Sequence, residues 1–354
     1  SLLILYFCFM YGIRWLILLF TTSLCAQTPY FINYTDKDGL PTNELYSVIQ
    51  TKKGAIWIGS DAGLIHYDGL NFKLYHNSIA KNKSVTNLFE DEDGDIWCTN
   101  FSDQLLLLKD DSLHIIESWE SIREEGNVLY EINFSDTPGV LIIQTGKHTF
   151  KINKAENYKI RFEYQAQNIL YTPEGDMYSY SSSKGLVRTK NKEDFPIPVP
   201  ELFFRTDFDK KNNTIRYPRG HIRSTKIGLY LWLSEQFPSQ KNFLVQNLWG
   251  QPLGQTSIIP YIFSIKKNRA HAIYFPPELS QYKNNLNIAH LTSTSDSVFY
   301  LSTNIGLFKW DLSSNEVNTY FPGQFISQAT IDREGNIWAT SLDKGLYFIP
   351  PHIA

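Results

Sequence analysis

Cysteine is nearly absent from this chain: three residues among 354, at Cys8, Cys25 and Cys98. The first two lie in an apolar N-terminal stretch, so removal of that stretch leaves Cys98 alone and excludes an intrachain disulfide framework. Charge of one sign is lacking as well. Lys and Arg number 33 against 36 Asp and Glu, a net charge of −3, and no strong basic stripe gathers them. Nucleic acid is therefore not an expected partner. The motifs of several chemistries are missing too. No Gly-x-Ser-x-Gly elbow, phosphate-cradling glycine loop or His-Glu-x-x-His pair occurs, and the eight histidines are scattered. No catalytic residue, metal ligand set or cofactor is assigned on this basis.

Long apolar runs are scarce; the one that stands out is residues 2–20, broken by Arg14. From Met10 the text reads as a short basic start, an apolar core through Phe20 and a small-residue exit at Leu24-Cys25-Ala26. That is the layout of a secretory signal peptide, with residues 1–26 removed and 27–354 as the mature domain. An uncleaved membrane anchor is the alternative, because the run nearly reaches spanning length.

What the chain does have is aromatic residues, 15% of the total, and one recurring phrase. Gly54-Ala55-Ile56-Trp57-Ile58-Gly59-Ser60 returns as Gly94-Asp95-Ile96-Trp97-Cys98-Thr99 and as Gly335-Asn336-Ile337-Trp338-Ala339-Thr340. Each glycine closes a polar cluster between two apolar runs, which reads as a hairpin turn. Gly63-Leu64 and Gly345-Leu346 then open a further strand. Four short antiparallel strands in about forty residues describe one blade of a β-propeller. The expected structural residues are therefore Gly54, Gly94 and Gly335 at the turns and Trp57, Trp97 and Trp338 packed between blades. Cys98, where Gly59 and Ala339 stand in the other copies, is expected to be a small buried residue rather than a reactive thiol.

Taken in order, the units fall at about residues 43–77, 84–117, 127–144, around Gly175-Asp176-Met177-Tyr178, around Gly228-Leu229-Tyr230-Leu231-Trp232, at 298–310 and at 325–350. Counting Trp-like positions 57, 97, 142, 178, 230, 299 and 338 gives an all-β fold of seven four-stranded blades. Residues 191–225 carry a basic run from Lys210 to Arg223, read as a solvated strand face, and 249–285 are read as an insertion. The last unit shows three strands and the first is preceded by a lone one, Tyr30 to Thr35. The expectation is that this N-terminal strand completes the last blade and removes an open edge.

Asp38-Gly39-Leu40-Pro41-Thr42-Asn43, followed by the Gly-x-Ile-Trp-Ile-Gly-Ser and Gly-Leu-Ile-His-Tyr-Asp-Gly phrases, resembles the two-component regulator propeller repeat. The likeness is specific at about 36–77, 84–117 and 325–350, partial at 286–318, and only periodic between them. It implies the periplasmic sensor portion of a histidine kinase or hybrid two-component system of Bacteroidetes-type bacteria, attached to the inner membrane through a span that this chain does not contain. The phospho-acceptor and ATP-binding regions are also missing, so the chain is read as a fragment of a longer receptor or a free-standing propeller, itself not an enzyme. The implied partners are a small-molecule or oligosaccharide signal and a second copy in a homodimer.

Two other functions remain open on one scaffold: a carbohydrate-active lyase or hydrolase, and a passive interaction scaffold. Positional candidates for ligand contact are Asp61, Asn100, Asn304 and Asp343, which follow the Trp strands; turn capping is the alternative role for each. Asp91, Asp93 and Asp95 resemble a calcium loop without its downstream Glu, and a turn role is expected for them.

Overall fold

The computed structural model describes residues 30–198 and 276–351 with short breaks, strands at 261–266 and 269–273, and between 199 and 233 the backbone of four strands. The expected signal peptide, Gly175 and the side chains of Tyr230, Trp232 and the Lys210–Arg223 run lie outside the described residues. The described chain is mostly strand. Four-stranded antiparallel sheets follow one another at residues 45–75, 86–115, 129–164, 168–196, 220–273 and 288–320, and another is built from 326–349 with residues 32–34. A short ribbon pairs Asp207–Asp209 with Thr214–Arg216. In the stretch read as an insertion, Tyr261–Lys266 and Arg269–Ile273 instead complete a sheet with Gly220–Thr225 and Gly228–Leu233. The arrangement is propeller-like. Leu45–Gln50 touches the first strands of two other sheets, Thr86–Glu90 and Ile326–Ile331, so the inner strands meet one another.

The recurring phrase folds the same way in three places. In each hairpin the glycine N–H donates to the carbonyl three residues back: Gly54 to Thr51 at 2.9 Å, Gly94 to Asp91 at 3.2 Å and Gly335 to Asp332 at 3.1 Å. All three glycines have φ between +86° and +92°, which a side chain would strain. In two copies the residue that opens the turn also ties down the Trp. Asp91 Oδ2 accepts the Trp97 indole N–H, and Asp332 Oδ2 accepts that of Trp338, both at 2.8 Å. Asp91 Oδ1 meanwhile accepts the backbone N–H of Asp93 and Asp95. A carboxylate buried this way is satisfied by local hydrogen bonds rather than by solvent, which is why it can stand beside a core indole. Thr51 replaces the Asp in the first copy.

The core consists of layers between sheets. Trp338 packs with Leu45, Ile56 and Ile58 of the sheet at 45–75. Trp57 packs with Val85, Ile96 and Cys98, and Trp97 with Ile132, Leu141 and Ile143. Each indole thus bridges to the next sheet in sequence, or from the last to the first. In the sheet at 288–320 the equivalent position is Tyr300, not Phe299. Tyr300 pairs with Thr292 and Lys309 as Trp57 pairs with Ile49 and His66, and it packs against Ala329, Ile337 and Ala339. Phe299 points to the other side and meets Trp310 at 6.2 Å. An alternating strand shifted by one residue exchanges its faces, which is the source of the error.

Asn33 pairs with Tyr347 in the middle of the strand Ile32–Tyr34, which completes the last sheet as expected. Phe31 lies 5.6 Å from Tyr347, ring to ring, and Tyr34 stacks at 6.3 Å on Trp338. A helix that no repeat in the sequence marks, Glu117–Glu124, follows the sheet at 86–115, and its fully buried Trp119 donates to the Asp103 carbonyl at 2.8 Å.

Candidate functional site

The turns after the Trp strands gather on one face. There the Asp61 N–H donates to the Glu44 carbonyl, Val85 to Ser60 and Asn304 to Asn287. The four positional candidates are not equivalent on it. Asp61 is exposed. Asn100 is buried and fully used: its Oδ1 accepts the N–H of Ser102 and Gln104, and its Nδ2 donates to Asn82 and Gln104. Asn304 Oδ1 accepts the Asn287 N–H at 2.7 Å. Asp343 bonds Ser341 at 3.1 Å and pairs with Lys344 at 3.2 Å on an exposed turn.

Counting four residues on from Trp57, Trp97, Tyr300 and Trp338 places Asp61, Phe101, Asn304 and Leu342 at matching points. Phe101 and Leu342 are not among the positional candidates, which are the first polar residues after each strand. Phe101 is 57% exposed. Its ring lies 4.8 Å from that of Tyr46, whose hydroxyl donates to Glu44 at 2.6 Å. The pairing register shifts at Tyr46, between Leu45 and Ser47. A bulge of this kind re-aims a side chain, here towards Phe101. Partial burial, the Glu44 bond and the nearby Asp61 together raise the Tyr46 phenol above its ordinary range. The result is an open aromatic pair edged by two carboxylates.

The hairpin turns gather on the opposite face, where cations stitch neighbouring sheets. Lys52 Nζ donates to the Asp91 carbonyl at 3.0 Å, and Arg333 donates to the Thr51 carbonyl at 2.8 Å. Lys154 Nζ sits among Asp91, Asp93 and Asp95 at 2.5, 2.5 and 3.2 Å. This ammonium occupies the place at which the calcium-loop alternative would hold an ion. Burial works against its charge, but the bonds to Asp91 and Asp93 outweigh that and hold it above its ordinary value. The same face carries a cavity of about 510 Å³ between the sheets at 45–75 and 326–349, lined among others by Gln50, His66, Tyr67, Asp68, Glu334 and Trp338. Cys98 is fully buried, and burial pushes its thiol well up, so it is not a poised nucleophile.

No family model matches the chain. Its fold resembles extracellular domains assigned to hybrid two-component systems of B. thetaiotaomicron. With that of BT4673 the TM-score is 0.63 at 15% identity, over 92% of this chain and 43% of that one. With that of BT3049 it is 0.60 at 15% identity, over 91% and 42%. A streptogramin B lyase is similar at TM-score 0.60 and 14% identity, over 90% of this chain and 96% of that one. In sequence, 66 residues are 35% identical to histidine kinase P4 of Formosa agariphila, covering 18% of this chain and 5% of that protein. The chain therefore spans less than half of the two extracellular domains and a small part of the kinase. Among the described residues no helix is long and apolar enough to cross a membrane. The chain is thus similar in fold to extracellular domains assigned to hybrid two-component systems, and over one short stretch similar in sequence to a histidine kinase.

Proposed function

We propose that this chain is the extracytoplasmic signal-binding propeller of a two-component receptor, its sheets forming seven blades of one closed ring. The repeat phrase would then be the two-component regulator propeller repeat, and the output would be a histidine kinase carried by the parent protein across the inner membrane. The observation that carries the reading is the coincidence of two independent likenesses. The fold is shared with extracellular domains assigned to hybrid two-component systems, and a stretch of sequence is shared with a histidine kinase. The signal, a small molecule or oligosaccharide, would bind on the face bearing Tyr46, Phe101, Glu44 and Asp61, where aromatic faces and carboxylates stand together and exposed. Rings of this kind stack on apolar sugar faces while carboxylates accept hydroxyl donors. A homodimer would bring two such faces into one receptor.

The lyase likeness supports a second reading, an enzyme on the same scaffold, since fold does not decide activity. Thermal-shift screening of a small-molecule and oligosaccharide panel, with product analysis on every hit, separates the two. Saturable binding that is lost in Phe101→Ala, with the ligand recovered intact, is the expected result. Ligand turnover would replace the sensor with the enzyme, and an inert panel would favour a scaffold.

A further inference from the structure

Two seams of the hairpin face are built alike and filled differently. Trp57 pairs with His66 and Ile142 with Lys151, and three positions beyond those partners stand Gly69 and Lys154. Counted from Gly94 and Gly335, the trio Asp91, Asp93 and Asp95 corresponds to Asp332, Glu334 and Asn336. In the first seam Lys154 reaches back into the acidic trio of the preceding sheet and leaves a remnant of about 10 Å³. In the seam between the last sheet and the first, glycine replaces the lysine and the space of about 510 Å³ stays open.

The walls of the open space have kept the character of the filled one. Asp332, Glu334 and Asp68 line it, against one cation, Lys53. Asp332 is already satisfied, because Asn336 Nδ2 and Trp338 Nε1 both donate to its Oδ2. Glu334 is exposed and, among the described residues, receives a single long bond, from Gln50 at 3.4 Å. Asp68 is exposed, and its Oδ1 accepts the N–H groups of Leu70 and Asn71. Tyr67, Trp338 and His66 supply flat surfaces beside these carboxylates. Burial holds His66 below its ordinary value, so at neutral pH it adds no positive charge.

We propose that this cavity binds a small ligand bearing a protonated primary amine, whose ammonium sits between Glu334 and Asp68 as Lys154 sits in its own seam. The volume is in the range of small-molecule sites. Charge selects the amine end, and the aromatic walls take its carbon body. The inference is independent of the sensing reading: it concerns the opposite face, and it stands or falls on a simple amine rather than on the receptor's signal.

The test is a titration of the full chain with n-butylammonium chloride, followed by the indole N–H resonances, with n-butanol and sodium chloride as matched controls. Trp338→Phe assigns the reporting resonance. The expected result is a saturable millimolar shift at Trp338, none at Trp97, and none with either control. Glu334→Gln should weaken binding about fivefold, the scale of one partly exposed ion pair. Glu316→Gln, in the exposed turn before Val317–Tyr320, should leave it unchanged. A flat titration, an equal response to n-butanol or salt, or undiminished binding in Glu334→Gln would overturn the proposal.

Discussion

Replacing Lys154 with Met removes the ammonium but keeps most of the side chain's volume, so it isolates the charge. In the native protein this side chain is 13% exposed, beside Asp91 at 2%, Asp95 at 20% and Asp93 at 69%. Loss of one partner from a buried pair costs about 3–5 kcal/mol, because the other charge is stranded. Two of the three carboxylates here keep some water, which lowers the expectation to about 2–4 kcal/mol, discounted for solvent screening. For a chain of this size that corresponds to a fall in Tm of roughly 3–6 °C. The assay is urea unfolding read by Trp fluorescence, repeated between neutral and acid pH. The Lys154 bond holds the Asp93 carboxyl below its ordinary value. A carboxyl lowered in the folded state stabilises above its unfolded value, near ~4, and that contribution vanishes as pH falls through the lowered one. The gap between native and Lys154→Met should therefore be full at pH 7 and shrink in acid. A gap under about 0.5 kcal/mol at pH 7, the size of an ordinary surface substitution, or one unchanged by pH, would refute the reasoning.

Trp97→Ala should cost about 3–5 kcal/mol by urea denaturation, since the indole is fully buried between two sheets. Trp97→Phe, which keeps an aromatic ring but removes the N–H offered to Asp91, should cost less, about 1–2 kcal/mol; a Phe variant as stable as the native protein would deny the N–H a role. Gly345→Ala should be destabilising by about 1–3 kcal/mol. Its new methyl would overlap the Tyr34 carbonyl, and its φ of +80° suits glycine. Amide exchange should then rise first at Ile32–Tyr34, and uniform protection would argue against this local effect.

The architecture was legible where one rule governs both local and long-range structure. The Gly-x-x-Trp phrase fixes a turn, a strand and an inter-sheet contact at once, so sequence periodicity carried straight to sheet order and to the pairing of Ile32–Tyr34 with the last sheet. It failed by one residue at Phe299, where two consecutive aromatics, Phe299 and Tyr300, offer the same composition to opposite faces. The helix at Glu117–Glu124 was hidden because its eight residues show little apolar repeat beyond Trp119 and Ile122. The site was less legible still. Phe101 and Leu342 matter by their equivalence to Asp61 and Asn304, which is visible only once the strands are in register. The ammonium of Lys154 and the opening beside Gly69 depend on contacts between residues some sixty or more positions apart, and no local pattern announces them.

The three-residue strand Ile32–Tyr34 has a consequence for biogenesis. Among the described residues it is the first strand to be synthesised, yet its partner Leu346–Ile349 is the last. The earlier strand must wait, unpaired, until every sheet between the two has been made. Contacts so distant along the chain slow folding and prolong the exposure of unpaired edges. The pairing works as a clasp: the intervening sheets can form one by one, but the sheet at 326–349 gains its fourth strand only when Ile32–Tyr34 reaches it.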